Sequence, residues 1–338
     1  MRIGSNPQKD KVLTSSDYFH QVVVPVYIPN LDGYFKDSFV ILQYCLDSLF
    51  LTSHRKTYFT IVNNGSCKLV KDYLDDLYKS NKIHELINTT NIGYINAILK
   101  GIAGQNFPFL STVDADVLFL NNWQEETYKI FKYFPKTGVV APSPNSKMLR
   151  SLTNNVLCEN LLSRKMKFSN VENPQAMIDF SKSINNPGLF NEHHLNKYMT
   201  IINGEGKAMV GAGHFVVTYR SDVFQNLEQK STEFVLGGGS DDLLDYPVIK
   251  KGYWRLSTTD NYAYHMGNSL ESWMLSFSEL LKNNNLDYKE LPVIHEVKIN
   301  SIMNWFNLKF FSKILLKKPF WKFFLRYKGL SKKEAKYH

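Results

Sequence analysis

The chain has 338 residues, 43% apolar and 21% charged, enough to build one large packed domain with room for an appendage, and this composition excludes wholesale disorder. Three cysteines, Cys45, Cys67 and Cys158, are too few and too scattered for a disulfide framework or a zinc cage and fit a reducing compartment. The net charge of +9 is concentrated at one end, since residues 298–338 hold eleven Lys/Arg and one acid, Glu334; the nearly neutral remainder excludes a nucleic-acid-binding body.

In chain order, Met1 to Lys11 is polar and lacks the apolar core of a signal peptide, and no run reaches the roughly 18 apolar residues of a spanning helix. A cytoplasmic protein, peripheral on the inner face of the plasma membrane, is expected. Val22–Tyr27 reads as a buried strand and Ser38–Leu51 as a helix. Tyr58–Asn63 is a second strand, followed by a helix over Cys67–Ser80 with Leu69, Val70, Tyr73, Leu74 and Leu77 at helical spacing. His84–Asn88 is a third strand, Gly93–Ile102 a short helix and Phe107–Val113 a fourth strand, with Val117–Leu120 and Gly138–Pro142 as two more. This alternation predicts an α/β fold with a mostly parallel mixed sheet covered by helices on both faces, and ligands beyond the carboxyl ends of its strands.

Residues 146–206 are polar and Asn-rich and read as helices with long loops. Lys207–Tyr219 reads as a strand pair around Gly211-Ala212-Gly213, where Gly211 to His214 is either an acceptor-side loop or a plain hairpin turn. Ser240 caps a helix through Lys251 that Pro247 kinks or stops, Trp254–Thr258 is a strand and Leu270–Asn284 a helix. The expected parts are 1–145, 146–297 and a basic, aromatic extension over 298–338.

The residues after each strand are polar, Gly-containing or acidic: Val24-Pro25-Val26-Tyr27, Asn63-Asn64-Gly65-Ser66, Asn91-Ile92-Gly93-Tyr94 and Asp114-Ala115-Asp116. Two carboxylates one residue apart between buried strands are costly unless something compensates them. A divalent cation does so, and hard carboxylate oxygens suit Mg²⁺ or Mn²⁺, which also bind phosphate. The plainer reading is a pair of strand-end aspartates capping a turn.

Four ordered strand-end motifs narrow the choice. The chain resembles the GT-A fold glycosyltransferases, in particular family 2 of the bacterial surface-polysaccharide type, through Val24-Pro25-Val26-Tyr27, Asn63-Asn64-Gly65-Ser66, the series Asn91, Gly93, Ala97 and Gly101, and the acidic triplet. The resemblance covers the first 145 residues most fully. Further on, Asp241-Asp242 resembles the acidic pair that opens a helix and supplies the catalytic base, and Tyr264-His265-Met266-Gly267 resembles the element whose histidine completes a metal site.

The resemblance implies an inverting, metal-dependent transfer of a sugar from a nucleotide-diphosphate donor, a UDP-sugar first among the candidates, to a glycan or lipid-linked glycan in bacterial lipopolysaccharide or capsule synthesis. It implies Mn²⁺ or Mg²⁺ on Asp114, Asp116 and His265, with Asp114 alternatively on the ribose or a water. It places the donor on Pro25, Tyr27, Asn64, Asn91, Gly93, Asp114 and Ala115, and makes Asp242, with Asp241 second, the base. Two departures stand out: Asn63-Asn64 replaces an acidic pair, which weakens a preference for uracil, and Leu99 stands where the family often has Asn. Asp241-Asp242 after Ser240 is also simply a good helix start, and His265 taken alone reads as a hydrogen-bonded core histidine.

A sugar-nucleotide pyrophosphorylase needs a long Gly-rich loop with Arg and Lys after the first strand, whereas Tyr27-Ile-Pro-Asn-Leu-Asp-Gly33 holds one Gly and no base. A non-catalytic glycan- or membrane-binding protein of the same fold is the other alternative. From Lys298 on, aromatics interleave with lysines, as in Lys317-Lys318-Pro319-Phe320-Trp321-Lys322-Phe323-Phe324. That pattern suits attachment to a membrane surface, and equally a C-terminal helix packed on the core with its lysines outward.

Overall fold

A computed structural model describes residues 4–7, 9–11, 16–225, 227, 231–281 and 291–338. The β-branched runs of the first third form β1 (His20–Val26), β2 (Thr57–Asn64), β3 (Glu85–Thr89) and β4 (Phe109–Val113), joined through α1 (Ser38–Thr52), α2 (Lys68–Lys79) and α3 (Tyr94–Ile102). They pair in parallel in the order β3-β2-β1-β4. Each parallel join needs a crossover, and each helix supplies one. β1 is buried along its whole length, which matches its unbroken Val22-Val23-Val24 run.

The chain continues through β5 (Val117–Phe119), α4 (Trp123–Tyr133), β6 (Thr137–Ala141), α5 (Asn154–Glu159), β7 (Met166–Asn170), α6 (Pro174–Ser183), α7 (Glu192–Asn196), β8 (Lys197–Asn203), β9 (Gly206–Val210) and β10 (Val216–Arg220). A π turn (Asp241–Asp245) leads into α8 (Tyr246–Lys250), followed by β11 (Trp254–Ser257), β12 (Ala263–His265) and α9 (Ser272–Leu280). The main sheet has ten strands in the order β3-β2-β1-β4-β10-β6-β11-β9-β8-β7, and β5 pairs with β12 in a separate ribbon. Beyond β4 every join is antiparallel except β6 with β11. The fold is the expected α/β class, a mixed GT-A type sheet flanked by helices, with a helical C-terminal region.

Two expectations are corrected. Residues 146–206 hold two strands, β7 and β8, besides their helices, and these extend the sheet through the β8–β9 hairpin. Tyr198, Met199, Thr200 and Ile201 are buried, so β8 is an interior strand that its polar ends disguise. Lys207–Tyr219 does contain two strands, yet β9 and β10 do not pair with each other. β6 and β11 lie between them, so Gly211–Gly213 is a crossing between distant strands and not a hairpin turn. The predicted helix over 240–251 divides into the π turn and α8, with Pro247 in the first turn of α8, where its missing N–H costs nothing. Of the predicted helix Leu270–Asn284, residues 282–284 lie outside the described residues.

Buried polar groups stitch the start of the sheet together. His20 bonds Tyr128 Oη (2.7 Å) and Ser111 Oγ (2.7 Å), Ser111 bonds Thr218 Oγ1 (2.7 Å), and His54 Nε2 meets the same Tyr128 hydroxyl at 2.8 Å. Burial holds both imidazoles in the neutral form, with His54 lowered to about 4. The network ties β1, β4, β10 and α4 without an unpaired charge.

The small residues of the third motif have a packing reason. Ala97 is fully buried in one cluster with Val23, Val62 and Leu110. A Cβ added at Gly101 would lie 2.5 Å from Val23 Cγ1 and 3.0 Å from Val62 Cγ2. Gly101→Ala therefore lifts α3 off β1 and β2, with an expected cost of about 1–3 kcal/mol. A drop in urea midpoint at unchanged slope would show it.

The C-terminal segment forms α10 (Ser301–Phe306), a π turn (Asn307–Phe311), α11 (Ser312–Leu315), α12 (Lys318–Tyr327) and α13 (Glu334–Tyr337). Trp321, Phe324, Leu325 and Leu330 are buried in one cluster with Phe109, Phe131 and Met166. Lys328 is buried as well: its Nζ donates to the Asn160 and Ser163 carbonyls, and its own carbonyl accepts from Phe168 N–H. Among the described residues, no helix is long and apolar enough to cross a membrane.

Candidate active site

β4 runs straight into Asp114-Ala115-Asp116, and β5 leaves it. The Asp114 backbone N–H donates to the Phe215 carbonyl at 2.9 Å, and its carboxylate accepts the hydroxyl of Tyr94, the first residue of α3. The β5–β12 ribbon sets His265 opposite Val117, and the Asp116 carbonyl accepts Met266 N–H at 2.8 Å. His265 Nε2 thereby stands 3.4 Å from Asp116 Oδ2. The ligating atoms of Asp114, Asp116 and His265 all lie within 4.8 Å of one another.

The tautomer of His265 follows from its other nitrogen. Ser183, at the end of α6, donates its hydroxyl proton to the Phe180 carbonyl (2.9 Å), so its oxygen is left to accept from His265 Nδ1–H at 2.9 Å. In that tautomer Nε2, 3.4 Å from Asp116 Oδ2, offers the lone pair that a metal ligand needs. Burial depresses His265 and keeps the ring neutral, and Phe180 and Phe215 meet it edge-on.

Both carboxylates titrate well above the ordinary range. Burial is the main cause, and for Asp114 the charge of Asp116 adds to it. Two electron-rich carboxylates and an imidazole lone pair converge with no lysine or arginine paired to them among the described residues. The donor set of two oxygens and one nitrogen fits a hard to borderline divalent cation such as Mg²⁺ or Mn²⁺.

A second group faces this one. His214, in the crossing between β9 and β10, lies with its Nδ1 3.0 Å from Asp245 Oδ2. Asp245 is fully buried against Arg255, which also donates to the Ala212 carbonyl at 3.0 Å. The hydrogen bond to Asp245 raises the His214 pKa, while Arg255 holds Asp245 ionised despite its burial. The charge of His214 is felt at Asp114. Asp241 has a carboxylate oxygen within 4.8 Å of the ligating atoms of His214 and Asp245; Asp242, equally exposed, is not in that group.

On the other flank, Pro25 is buried in β1 beside Val62, and Tyr27 is exposed just past the end of the strand, edge-on to Phe35. Asn64 is buried; its Oδ1 accepts Ile92 N–H at 2.9 Å and its Nδ2 donates to Asn91 Oδ1 at 3.4 Å. Asn91 Oδ1 also accepts Gly93 N–H at 3.1 Å. These amides hold the β2 and β3 ends together. Gly93 has φ +89°, and a Cβ there would meet the Phe234 carbonyl at 2.5 Å, because the segment 232–235 lies across the start of α3. Tyr94 N–H donates to the Val235 carbonyl at 2.9 Å, and Asn96 bonds both backbone groups of Thr232.

Residues 33–197, which span β2 to β7 and include the acidic triplet, match the family model described as glycosyl transferase family 2. The chain carries a family 2 glycosyltransferase domain. Solved structures similar to this glycosyltransferase include S. aureus TarS 1-349 in complex with UDP-GlcNAc, at 13% identity and a TM-score of 0.43 over 89% of this chain and 74% of that one. Another is the mannosyltransferase PcManGT from Pyrobaculum calidifontis in complex with GDP-Man and Mn²⁺, at 12% identity and a TM-score of 0.40 over 72% of this chain and 54% of that one. No curated protein matches the chain.

Sequence reasoning on the glycosyltransferase reached Asp114, Asp116 and His265, which the fold brings together. It missed Tyr94 and Ser183, which hold Asp114 and His265, and the buried pair Asp245–Arg255 behind His214. A tyrosine opening a helix and a serine ending one carry no local signal; only the register of β4, α3 and α6 reveals them.

Proposed function

We propose that this glycosyltransferase moves a sugar, with inversion, from a nucleotide-diphosphate donor to a glycan acceptor in bacterial lipopolysaccharide or capsule synthesis, using Mn²⁺ or Mg²⁺. The observation that carries the reading is the convergence of Asp114, Asp116 and Nε2 of His265 on one point. These three would hold the cation, which when bound supplies Lewis acidity to a departing diphosphate. Tyr94 fixes the Asp114 carboxylate, and Ser183 fixes the tautomer and tilt of His265. The donor would lie along the ends of β1 to β3, on Pro25, Tyr27, Asn64, Asn91, Gly93, Asp114 and Ala115. Residues 1–145 would serve mainly the donor and 146–297 the acceptor. A UDP-sugar is the first donor to test, and the acceptor, where lipid-linked, is met at the inner face of the plasma membrane.

The acceptor hydroxyl must lose a proton as it attacks the anomeric carbon, and a carboxylate at the cleft takes it. Asp241 is our choice over Asp242 because it shares its surroundings with His214, whose charge is felt at Asp114. Direct displacement by that hydroxyl inverts the anomeric centre. Asp241→Asn should lower transfer by about 10²–10⁴-fold while donor binding stays intact, and Asp242→Asn by less than about tenfold. Nucleotide release with acceptor present, measured for both variants, decides between them. The reverse ranking returns the role to Asp242, and two mild variants remove the acid pair from the mechanism.

A further inference from the structure

The C-terminal segment is half core and half surface. α12 buries Trp321, Phe324 and Leu325, and turns Phe320 and Phe323 outward, the latter 71% exposed. Upstream, Ile302 is 80% exposed, and Trp305 and Phe310, in edge contact with each other, are also exposed. A solvated protein gains nothing from this many outward aromatics, and the core already has its share from the same helices. Along the segment itself the charge has one sign. No acid occurs between residues 298 and 333, whereas Lys309, Lys313, Lys317, Lys318 and Arg326 are all exposed.

From this we infer that the outer face of α10 to α12 docks on an anionic lipid bilayer, its aromatics entering the headgroup boundary and its lysines meeting lipid phosphates. Apolar insertion and cationic attraction are the two components such binding requires. Charge complementarity chooses the partner: a second copy of the chain would set lysines against lysines, whereas an anionic surface matches them. The face is also placed usefully. Asn304 of α10 donates to the Lys250 carbonyl at 2.7 Å, at the end of α8, the helix that continues from the π turn bearing Asp241. The inference deepens the membrane-surface part of the proposed function and locates it on named side chains.

Co-sedimentation of the full chain with phosphatidylglycerol–phosphatidylcholine vesicles tests it, against pure phosphatidylcholine vesicles and at low and high salt. Preferential binding to the anionic vesicles that weakens in salt is expected. Phe320→Ser with Phe323→Ser should reduce partitioning by at least about tenfold. Since both side chains face outward, circular dichroism and donor hydrolysis should be unchanged. Lys309→Glu with Lys313→Glu provides an independent pair should the first disturb the fold. Equal binding to neutral vesicles, binding that survives both pairs, or a dimer in ultracentrifugation that the same substitutions dissociate would each overturn the inference. Vesicle binding without any sugar-nucleotide turnover would support the surface and count against glycosyl transfer, so the two failures are distinguishable.

Discussion

Asp116→Asn should abolish most sugar-nucleotide turnover, by about a thousandfold, close to 4 kcal/mol at 1.36 kcal/mol per decade. Asp116 Oδ2 stands 3.4 Å from His265 Nε2, so its loss removes one candidate ligand and the neighbour of another. Stability should move the opposite way. Burial raises both carboxylates above their unfolded values, so the native state binds protons more tightly than the unfolded chain does. The stability this pair contributes without metal is complete below pH ~4 and is lost as the pH rises through the raised native values. Removing one charge flattens that loss, so metal-free Asp116→Asn should melt no lower than the parent at pH 8. The parent should gain melting temperature on addition of Mn²⁺, and gain more at pH 8 than at pH 6, because the ligands must be deprotonated. The variant should gain little. Ser183→Ala, which keeps all three ligands and frees the His265 ring, should weaken Mn²⁺ binding about 10–100-fold. An unchanged Mn²⁺ response in Asp116→Asn would refute the site.

Arg255→Ala should be the most damaging single change to the fold. Arg255 and Asp245 are both fully buried, and the guanidinium also holds the Ala212 carbonyl. Removing the arginine strands a carboxylate without compensation, with an expected loss of about 3–5 kcal/mol. Against a total stability of roughly 5–15 kcal/mol, that is a large fraction. The pair itself need not be favourable relative to an apolar substitute, because both ions are desolvated. The double variant Asp245→Leu with Arg255→Met should therefore recover much of the loss. Urea unfolding of the single and double variants measures this directly, and a loss below about 1 kcal/mol for Arg255→Ala would show that the pair bears little of the structure. Asp245→Asn carries a separate signature. His214 owes its raised pKa first to the hydrogen bond with Asp245, so its titration, followed by NMR, should shift to lower pH.

The first four strands of the sheet were legible because their physics is local. Runs such as Val22-Val23-Val24 alternate with amphipathic helices, and the parallel joins β1–β2 and β2–β3 are each made by the helix lying between the two strands. The remaining strands were harder to read. β10 finds its partners in β4 and β6, far away in the chain, and β8 hides an interior strand between Lys197 and Asn203. The site divides the same way. Asp114, Asp116 and His265 stand at strand ends, where ligands gather. Tyr94, Ser183 and Arg255 matter only through what the finished fold places beside them. For the tail, the packed reading holds on one face, where Trp321 and Phe324 lie inward, while Phe320 and Phe323 point out on the face proposed for the bilayer.

The cluster that joins Phe109 and Phe131 to Trp321, Phe324 and Leu325 has a bearing on biogenesis. A ribosome delivers β4 and α4 long before it delivers α12, so that wall of the nascent sheet stays open until the closing helices emerge. Until then its apolar surface is available to chaperones or to neighbouring chains. A deletion removing α12 onward should therefore yield insoluble protein, and not a trimmed enzyme that has merely lost its lipid contact.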